Sequence, residues 1–347
     1  MNSLIVCIPF DHLQSNGGYS MAKRLTVLFL PHPSSESMFK PWGDDVIKAI
    51  GDKHELRICD YDKNLATQFM GVDVVIDHGG SAGTREMADL AEDKVRLWQI
   101  LGTGVDHFDL DYWQKKNIPV ASTPGPFSAV ALAECAMMFI LMLTRKYSQT
   151  QLNLRKNVLY EPVGIELSGL KLGIIGLGAS GKELARRALP FGLRILAVDT
   201  REVSSKEIEE LKIEFCGTSS DIDRLVSESD ILSIHLPLND QTRHLIDDRR
   251  LRLMKPSAFL INVARGTLVD EEALTKILVE KGISGAGLDV YGQEPLDLDH
   301  EIFKLPTVLT TPHIAGVTDG TSRKRAKAAA DNIDRIAAGA DPLYRVD

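Results

Sequence analysis

Short apolar runs recur near the start of the chain and alternate with stretches whose apolar residues recur every three or four positions. The runs have the length of buried strands, and the stretches between them have the period of amphipathic helices. Helices are predicted at Trp42–Ile50 and Thr84–Glu92, and this alternation predicts a parallel sheet covered by helices. The predicted strands are Thr26–Leu30, Leu56–Cys59, Val72–Asp77, Val95–Leu101 and Pro119–Ala121.

A second alternation of the same kind runs from Leu170 to Thr311. The two alternations predict an α/β protein with two parallel-sheet domains, and a cleft between two such domains is a favoured place for a small ligand. The predicted strands are Leu170–Ile175, Leu193–Val198, Ile231–His235, Ala258–Val263, Gly285–Asp289 and Val308–Thr311. The predicted helices are Asp221–Glu228, Arg249–Met254 and Asp270–Lys281.

Two longer helices are predicted outside these alternations, from Ser128 to about Tyr147 and from Thr318 to Ala338. The first contains the most apolar segment of the chain, Val130–Leu143. This segment contains Glu134 and is shorter than a membrane span requires. Because it is apolar on all sides, we expect it to be buried between domains or between subunits.

A glycine-rich turn follows the strand that ends at Ile175, and a helical stretch follows the turn. Gly176 permits the tight turn, Gly178 lets the backbone approach a pyrophosphate, and Gly181 lets the helix pack closely on the strand. The N–H groups at the start of the helix would bind the phosphates. In this setting of strand, turn and helix, the motif predicts a dinucleotide site that also includes Ala179 and Ser180.

The next strand ends in Asp199, where dinucleotide-binding domains place an acid that binds the adenosine ribose. The Asp199 carboxylate would accept hydrogen bonds from the ribose hydroxyls and repel a 2′-phosphate. The sequence therefore predicts NAD, bound as NAD or NADH, and disfavours NADP. The neighbouring Thr200 is assigned to the same cofactor site.

Composition and charge narrow the range of partners. The chain has 347 residues and a formal net charge of -8, which argues against a nucleic-acid or membrane partner. Its four cysteines are scattered, which predicts reduced thiols in a cytoplasmic protein and no metal site. Residues 1–22 are predicted to be an N-terminal extension, and this start of the chain lacks the basic segment of a secretory signal.

Three polar residues follow predicted strands, at the sheet edge where open α/β sheets bind ligands. Arg265 could bind a carboxylate, Glu294 could orient a histidine, and His313 could act as a general acid or base. Each residue alone also has an ordinary interpretation, as a surface arginine, an exposed glutamate or a histidine without a chemical role.

The order of the motifs favours the chemical interpretation. From about Lys23 to its end, the chain resembles the D-isomer-specific 2-hydroxyacid dehydrogenase family. The resemblance rests on Gly176-Leu177-Gly178 with Gly181, His235-Leu236-Pro237 with Thr242, Met254-Lys255-Pro256, Asn262-Val263-Ala264-Arg265-Gly266, Leu288-Asp289-Val290 with Glu294-Pro295, and Thr311-Pro312-His313.

The resemblance implies a catalytic set of Arg265, Glu294 and His313. His313 would donate the proton when a 2-keto acid is reduced and accept it when a 2-hydroxy acid is oxidised. Glu294 would hydrogen-bond His313, and Arg265 would bind the substrate carboxylate and polarise the keto oxygen.

The resemblance also implies binding residues. The backbone amides of Thr103 and Gly104 would hold the substrate carboxylate, and Gly80 would face the same cleft. Asp289 would contact the nicotinamide carboxamide, whereas the backbone of Val263 and the segment from His313 to Gly316 would place the ring. Two further positions, Pro237 and Thr242, would line the adenosine and ribose region.

The resemblance implies an unusual domain order. The NAD-binding Rossmann domain, residues 125–313, would be inserted into a substrate domain built from residues 23–124 and 314–347. Both domains would have Rossmann-like or flavodoxin-like sheets, and the active site would lie in the cleft between them. The helix at Val130–Leu143 would form a two-fold homodimer.

These expectations favour an NAD-dependent reductase of small 2-keto acids, with glyoxylate and hydroxypyruvate as the leading substrates. One alternative is a D-3-phosphoglycerate dehydrogenase, whose substrate requires a basic cluster that His78 to Gly83 does not offer, although Arg85 is near. An alternative of another class is an NAD-sensing corepressor-like binding protein. Such a protein would have a long disordered tail, which we do not expect here.

Overall fold

The structure is a computed structural model that describes residues 23–33, 40–79 and 82–347. Its first sheet has five parallel strands in the order β2-β1-β3-β4-β5. The strands are β1 Thr26–Leu30, β2 Glu55–Ile58, β3 Val74–Asp77, β4 Leu97–Ile100 and β5 Val120–Ala121. The helices between them are α1 Trp42–Ile50, α2 Leu65–Gln68, α3 Arg85–Ala91 and α4 Leu110–Lys115.

The middle of the chain builds a larger sheet. It is preceded by α5 Ala129–Thr144 and α6 Tyr147–Arg155. The strands are β6 Lys171–Ile175, β7 Arg194–Val198, β8 Ile213–Gly217, β9 Ile231–Ile234, β10 Phe259–Asn262, β11 Gly285–Leu288 and β12 Val308–Thr310. The helices are α7 Ala179–Ala188, α8 Ser205–Glu210, α9 Ile222–Glu228, α10 Asp248–Leu251 and α11 Glu271–Val279, and the last helix is α12 Asp319–Ala337.

The seven strands of this sheet are parallel, in the order β12-β11-β10-β9-β6-β7-β8. The chain order reverses direction between β6 and β9, and in such open sheets ligands bind in the crevice at this reversal. Gly176 follows β6 and His235 follows β9, so the glycine turn lies at this crevice. The predicted fold class of two parallel-sheet α/β domains is confirmed.

The predicted helix from Ser128 to Tyr147 is wrong in its extent. The helix α5 ends at Thr144, and Lys146 adopts a left-handed conformation with φ of 49° before α6 begins. A lysine in the sequence does not predict such a helix end, because helices usually end at a glycine or an asparagine in the left-handed conformation. The sequence prediction also omitted the edge strand β8, whose five residues include Glu214 and are mostly half-buried.

Packing shows against which sheet each of the two long helices, α5 and α12, lies. Ala326, Ala329 and Ile333 of α12 are buried with residues of β1, β3 and α1, whereas α5 packs against α7 and the larger sheet. The chain therefore leaves the first sheet after β5 and returns to it with α12. We infer an insertion from this packing, and the boundaries at residues 124 and 313 stay predictions.

In the described part of the chain, no helix is both long and apolar enough to cross a membrane.

A buried asparagine fixes α12 to the first sheet. Asn332 is fully enclosed, and its Nδ2 donates to Oε1 of Gln99 at 2.7 Å and to the carbonyl of Leu343 at 3.0 Å. Its Oδ1 accepts the N–H of Leu343 at 2.7 Å. Since buried polar groups are costly when unpaired, this side chain stabilises the helix, strand β4 and the C-terminal segment together.

The variant Asn332→Ala should destabilise the first-sheet domain by about 3 kcal/mol, because it removes the partner of Oε1 of Gln99 and of the backbone N–H and C=O of Leu343. Urea unfolding followed by tryptophan fluorescence measures this, since Trp42, Trp98 and Trp113 all belong to this domain. The control is Lys327→Ala, which removes an exposed pair with Asp331 and should cost less than about 1 kcal/mol. Equal effects of the two variants would contradict the anchoring role of Asn332.

Candidate active site

The glycine turn between β6 and α7 has the geometry that a dinucleotide requires. Gly176 has a φ of 94°, and a side chain here would overlap the carbonyl of His235. A side chain at Gly181 would overlap the carbonyl of Gly176, so this glycine permits the close contact between helix and strand. A side chain at Gly178 would meet no atom within 4 Å, so the outer face of this residue is open. Gly176 and Gly181 therefore have the steric roles that the sequence predicted, and the approach of a pyrophosphate to Gly178 stays a prediction.

The start of α7 is available to an anion. Gly178 is the N-terminal cap residue and has no side-chain cap, and Ala179 begins the helix. The first N–H groups of a helix lack partners inside it and attract phosphate. The open face of Gly178 and these N–H groups together form a cradle that fits the pyrophosphate of NAD.

Ser180 of the same turn makes contacts inside the protein. Its Oγ lies 3.0 Å from Nδ1 of His235, whose Nε2 lies 2.9 Å from Oγ of Ser233. Burial lowers the pKa of His235 to about 4, so this imidazole is neutral and its two hydroxyl neighbours satisfy both ring nitrogens. The Ser180 hydroxyl thus connects the glycine turn to the buried His235, and its assignment to the cofactor site stays a prediction.

Asp199 lies beside the turn, at the end of β7. One of its carboxylate oxygens accepts the N–H of Leu177 at 2.7 Å, and the other accepts the N–H of Arg201 at 2.9 Å. The Arg201 guanidinium also approaches Asp199, to 3.9 Å. This acid is therefore fixed next to the glycine turn, where the ribose is expected.

Glu207 neutralises the cations around this acid. Arg201 donates two hydrogen bonds to it, at 3.0 and 3.1 Å, and Lys182 forms an ion pair with it. The hydrogen bonds from Arg201 and Lys182 hold the pKa of Glu207 well below its usual range. Glu207 was not among the residues predicted from the sequence, because the pattern marked neither α8 nor its acid.

The predicted catalytic pair is assembled in the structure. Nδ1 of His313 lies 2.7 Å from Oε2 of Glu294, whose Oε1 accepts the N–H of Tyr291 at 3.1 Å. Burial raises the pKa of Glu294, but the hydrogen bond and charge of His313 outweigh this effect, so the pKa lies below its usual value. Glu294 is therefore an ionised partner for one ring nitrogen of His313, and no described residue hydrogen-bonds the other.

Asp289 fixes the turn that carries His313. It is fully buried, and its carboxylate accepts hydrogen bonds from the Thr311 hydroxyl at 2.6 Å and from the N–H groups of Ile314 and Ala315 at 2.8 and 2.7 Å. Burial raises the pKa of Asp289, although these three donors oppose the effect. A contact from Asp289 to nicotinamide stays a prediction, because in this structure the carboxylate binds the turn.

Arg265 reaches across the cleft to the first-sheet domain. Its Nε donates to both oxygens of Asp106, at 3.1 and 3.3 Å, and its Nη1 donates to the carbonyl of Ala264 at 2.8 Å. A side chain at Gly104 would overlap Nη2 of Arg265, so the guanidinium lies directly against that loop. The Arg265 charge also helps to lower the pKa of Glu294, after burial and the His313 interactions. Arg265, Glu294 and His313 therefore act within one electrostatic neighbourhood.

The remaining predicted residues lie around these groups. The Thr103 hydroxyl accepts a hydrogen bond from Arg325 at 3.2 Å, and the Thr242 hydroxyl donates to the carbonyl of Pro237 at 2.8 Å. Val263 is buried at the end of β10. Gly316 is half-buried and Thr200 is exposed. Gly80 lies outside the described residues.

Sequence patterns missed Asp106 as the partner of Arg265 and missed Arg325 altogether. Asp106 is 159 positions from Arg265, and Arg325 is 222 positions from Thr103. No periodicity connects such distant positions. The sequence signal that was available for Arg325 is a cationic residue close to the buried face of α12, whose other residues carry no charge.

The arrangement contains the groups that a reaction at a carbonyl group requires. It contains a cradle for a dinucleotide, a histidine held by a carboxylate and an arginine beside a glycine loop. Within residues 23–33, 40–79 and 82–347, no three His, Cys, Asp or Glu side chains are grouped as a metal ion would require.

Comparison with known proteins agrees with this site. The family model for the NAD-binding domain of D-isomer specific 2-hydroxyacid dehydrogenases matches residues 137–315. A glyoxylate reductase of Thermofilum pendens is 38% identical over 263 residues, which are 74% of this chain and 76% of the relative. A glyoxylate/hydroxypyruvate reductase B of Enterobacter agglomerans is 37% identical, over 76% of this chain and 80% of the relative.

A solved structure extends the likeness to most of the chain. The D-lactate dehydrogenase of Aquifex aeolicus, complexed with NAD and lactic acid, has a TM-score of 0.74 and 29% sequence identity. The match covers 90% of this chain and 96% of that chain. The chain belongs to the D-isomer-specific 2-hydroxyacid dehydrogenases, a family of NAD-dependent oxidoreductases.

Proposed function

We propose that this enzyme reduces small 2-keto acids with NADH to D-2-hydroxy acids, and that glyoxylate and hydroxypyruvate are the first substrates to test. The observation that carries the proposal is the His313–Glu294 pair at 2.7 Å, in the same neighbourhood as Arg265. The names of the two reductase relatives support the choice of these substrates.

Each residue of the site has its own role in the proposed reduction. The amides of Thr103 and Gly104 and the Arg265 guanidinium hold the substrate carboxylate, and Arg265 also polarises the keto oxygen. His313 gives a proton to that oxygen, and Glu294 stabilises the charged imidazole before the transfer. Asp106 and the Ala264 carbonyl orient Arg265 so that its Nη2 stays beside the loop.

When bound, NADH supplies the hydride. The open face of Gly178 and the start of α7 would hold its pyrophosphate, and Asp199 would accept its ribose hydroxyls. We propose a preference for NADH over NADPH, since a 2′-phosphate would meet Asp199 and the adjacent Glu207. Glu207 strengthens this preference because it neutralises Arg201 and Lys182, the cations that would otherwise attract the phosphate.

The proposal includes a homodimer. A groove beside α5 is lined by Met138, Met142, Arg187 and Phe191, among others. Met138 is 37% exposed and Phe191 is 46% exposed, and a contiguous apolar patch of this kind is typical of an interface. A second copy of α5 in this groove would bury both side chains.

The proposal also includes a cytoplasmic location. The described cysteines, Cys59, Cys135 and Cys216, carry free thiols, which is typical of proteins in a reducing compartment.

The variant His313→Asn should lower kcat on the order of 10³-fold, because an asparagine side chain cannot give the proton. NADH binding, measured by nucleotide fluorescence, should change little, since the imidazole acts on the substrate. His300→Asn is the matched control, because His300 is a half-buried histidine that also pairs with a glutamate, Glu272, at 3.2 Å. Turnover by His313→Asn at the rate of this control would exclude the proposed role.

Cofactor preference is tested by two changes in charge. Asp199→Ala should lower the ratio of kcat/KM for NADH to kcat/KM for NADPH about tenfold, because the ribose loses its acceptor. Glu207→Gln should raise kcat/KM for NADPH about tenfold, since it frees Arg201 and Lys182 for the 2′-phosphate.

Glutamine at position 207 can still form the capping box with Ser204, so α8 keeps its start. The control is Glu210→Gln, on the same helix, which pairs with Arg186 instead. An unchanged ratio in both Asp199→Ala and Glu207→Gln would refute this account of cofactor preference.

The variant Met138→Glu should convert the dimer to a monomer, because it places a charge in the apolar groove. Light scattering after size-exclusion chromatography measures the mass. The control Met70→Glu changes a methionine that is 64% exposed beside α2, and it should leave the dimer intact. A wild-type chain that elutes as a monomer would rule out this part of the proposal.

A further inference from the structure

The C-terminal helix α12 brings a second arginine to the cleft. Nη2 of Arg325 donates to Oγ1 of Thr103 at 3.2 Å, while Arg265 lies against the next residue of the loop, Gly104. The two guanidinium groups are close enough for the charge of Arg265 to disfavour protonation of Arg325. Arginines from the two domains therefore meet at one loop, the loop expected to hold the substrate carboxylate.

Arg325 has no acidic partner within residues 23–33, 40–79 and 82–347. Its Nε is enclosed and has no hydrogen-bond partner among these described residues, and its guanidinium carbon lies 5.4 Å from the centre of the Trp42 ring. By contrast, Arg265 pairs with Asp106, and Arg323 of the same helix pairs with Asp319 at 2.8 Å. An enclosed guanidinium without a counter-charge is unfavourable, which indicates that an anion binds here.

A second polar group, the His78 imidazole, lies near the same Trp42 ring as Arg325. His78 is buried, its Nδ1 has no hydrogen-bond partner in the part of the chain that the structure describes, and its ring centre is 5.6 Å from that of Trp42. Burial, with smaller effects from the charges of His32 and Arg325, lowers the pKa of His78 to about 4. Burial also lowers the pKa of Arg325, to about 10, so at neutral pH the arginine is charged and the histidine is neutral. A cation and an unused ring nitrogen thus lie on the same side of the cleft.

We propose that Arg325 binds a second anionic group of the substrate, so that the preferred substrates are 2-keto acids with a further carboxylate, sulfonate or phosphate. This inference rests on the proposed function of the same site. One carboxylate is already matched by the amides of Thr103 and Gly104 and by Arg265. A substrate with a single negative charge would leave Arg325 without a counter-charge, whereas a dianion would compensate it.

The experiment compares 2-keto acids that differ by this one group. The pairs are hydroxypyruvate with 3-phosphohydroxypyruvate, pyruvate with oxaloacetate, and pyruvate with 3-sulfopyruvate, each assayed with NADH. The wild type should prefer the dianion in at least one pair, and the pair with the largest preference identifies the anionic group. A wild type that prefers the monoanion in every pair would overturn the proposal.

The variant Arg325→Gln can still donate to Thr103 but lacks the charge. It should lower kcat/KM for the preferred dianion about a hundredfold, mainly through KM, and change the monoanion less than about threefold. Arg325→Lys should restore part of the loss, and the control Arg323→Gln should change neither substrate. An equal loss for both members of a pair would assign Arg325 to the shared carboxylate and overturn the inference.

Binding separates this inference from the proposed function. If no 2-keto acid is reduced, the proposed function fails, and the anion site is then judged by thermal shifts with tartronate and glycolate. Tartronate, the dianion, should stabilise the wild type more than glycolate, and Arg325→Gln should abolish the difference. If Arg325→Gln does not fold, Arg325→Met serves in its place. If neither variant folds, Arg325→Lys should weaken the tartronate shift and leave that of glycolate unchanged. A tartronate shift that is absent, or is unaffected by every folded Arg325 variant, would contradict the site.

Discussion

The buried carboxylate of Asp289 is the constraint on which the chemical end of the molecule depends. It receives three hydrogen bonds from the turn that follows β12. Within that turn His313 has a φ of 53°, a conformation that residues other than glycine rarely adopt. The three bonds compensate this backbone cost, and the turn in exchange satisfies a carboxylate that would otherwise be buried without donors. The His313–Glu294 geometry therefore follows from the end of strand β11, where Asp289 stands.

Arg265 connects this fixed end to the opposite domain. Asp106 accepts a hydrogen bond from its Nε, and the Ala264 carbonyl accepts one from its Nη1. The orientation of the guanidinium is therefore set from both sides of the cleft. Only a glycine at position 104 leaves room for Nη2. The residue that would bind the substrate is thus already in place before a substrate arrives, and this preorganisation lowers the cost of binding.

The sequence predicted the features that local rules encode. Both α/β alternations, the helix at Trp42–Ile50 and the glycine turn follow from periodicity and from the steric demands on Gly176 and Gly181. The end of α5 could not be predicted, because a lysine rarely takes the left-handed conformation found at Lys146. Contacts between distant segments were also out of reach, and the contact between Arg325 and Thr103 is the clearest case.

The charges in the cleft connect substrate choice to the two-domain architecture. Arg265 belongs to the larger sheet and Arg325 to the helix that returns to the smaller one, so their repulsion acts between the domains. Asp106 offsets only the first of these charges. A substrate with two anionic groups, one bound by each arginine, would reduce this repulsion. Because α12 returns to the smaller sheet, the two charges of such a substrate would be bound from the two sides of the cleft.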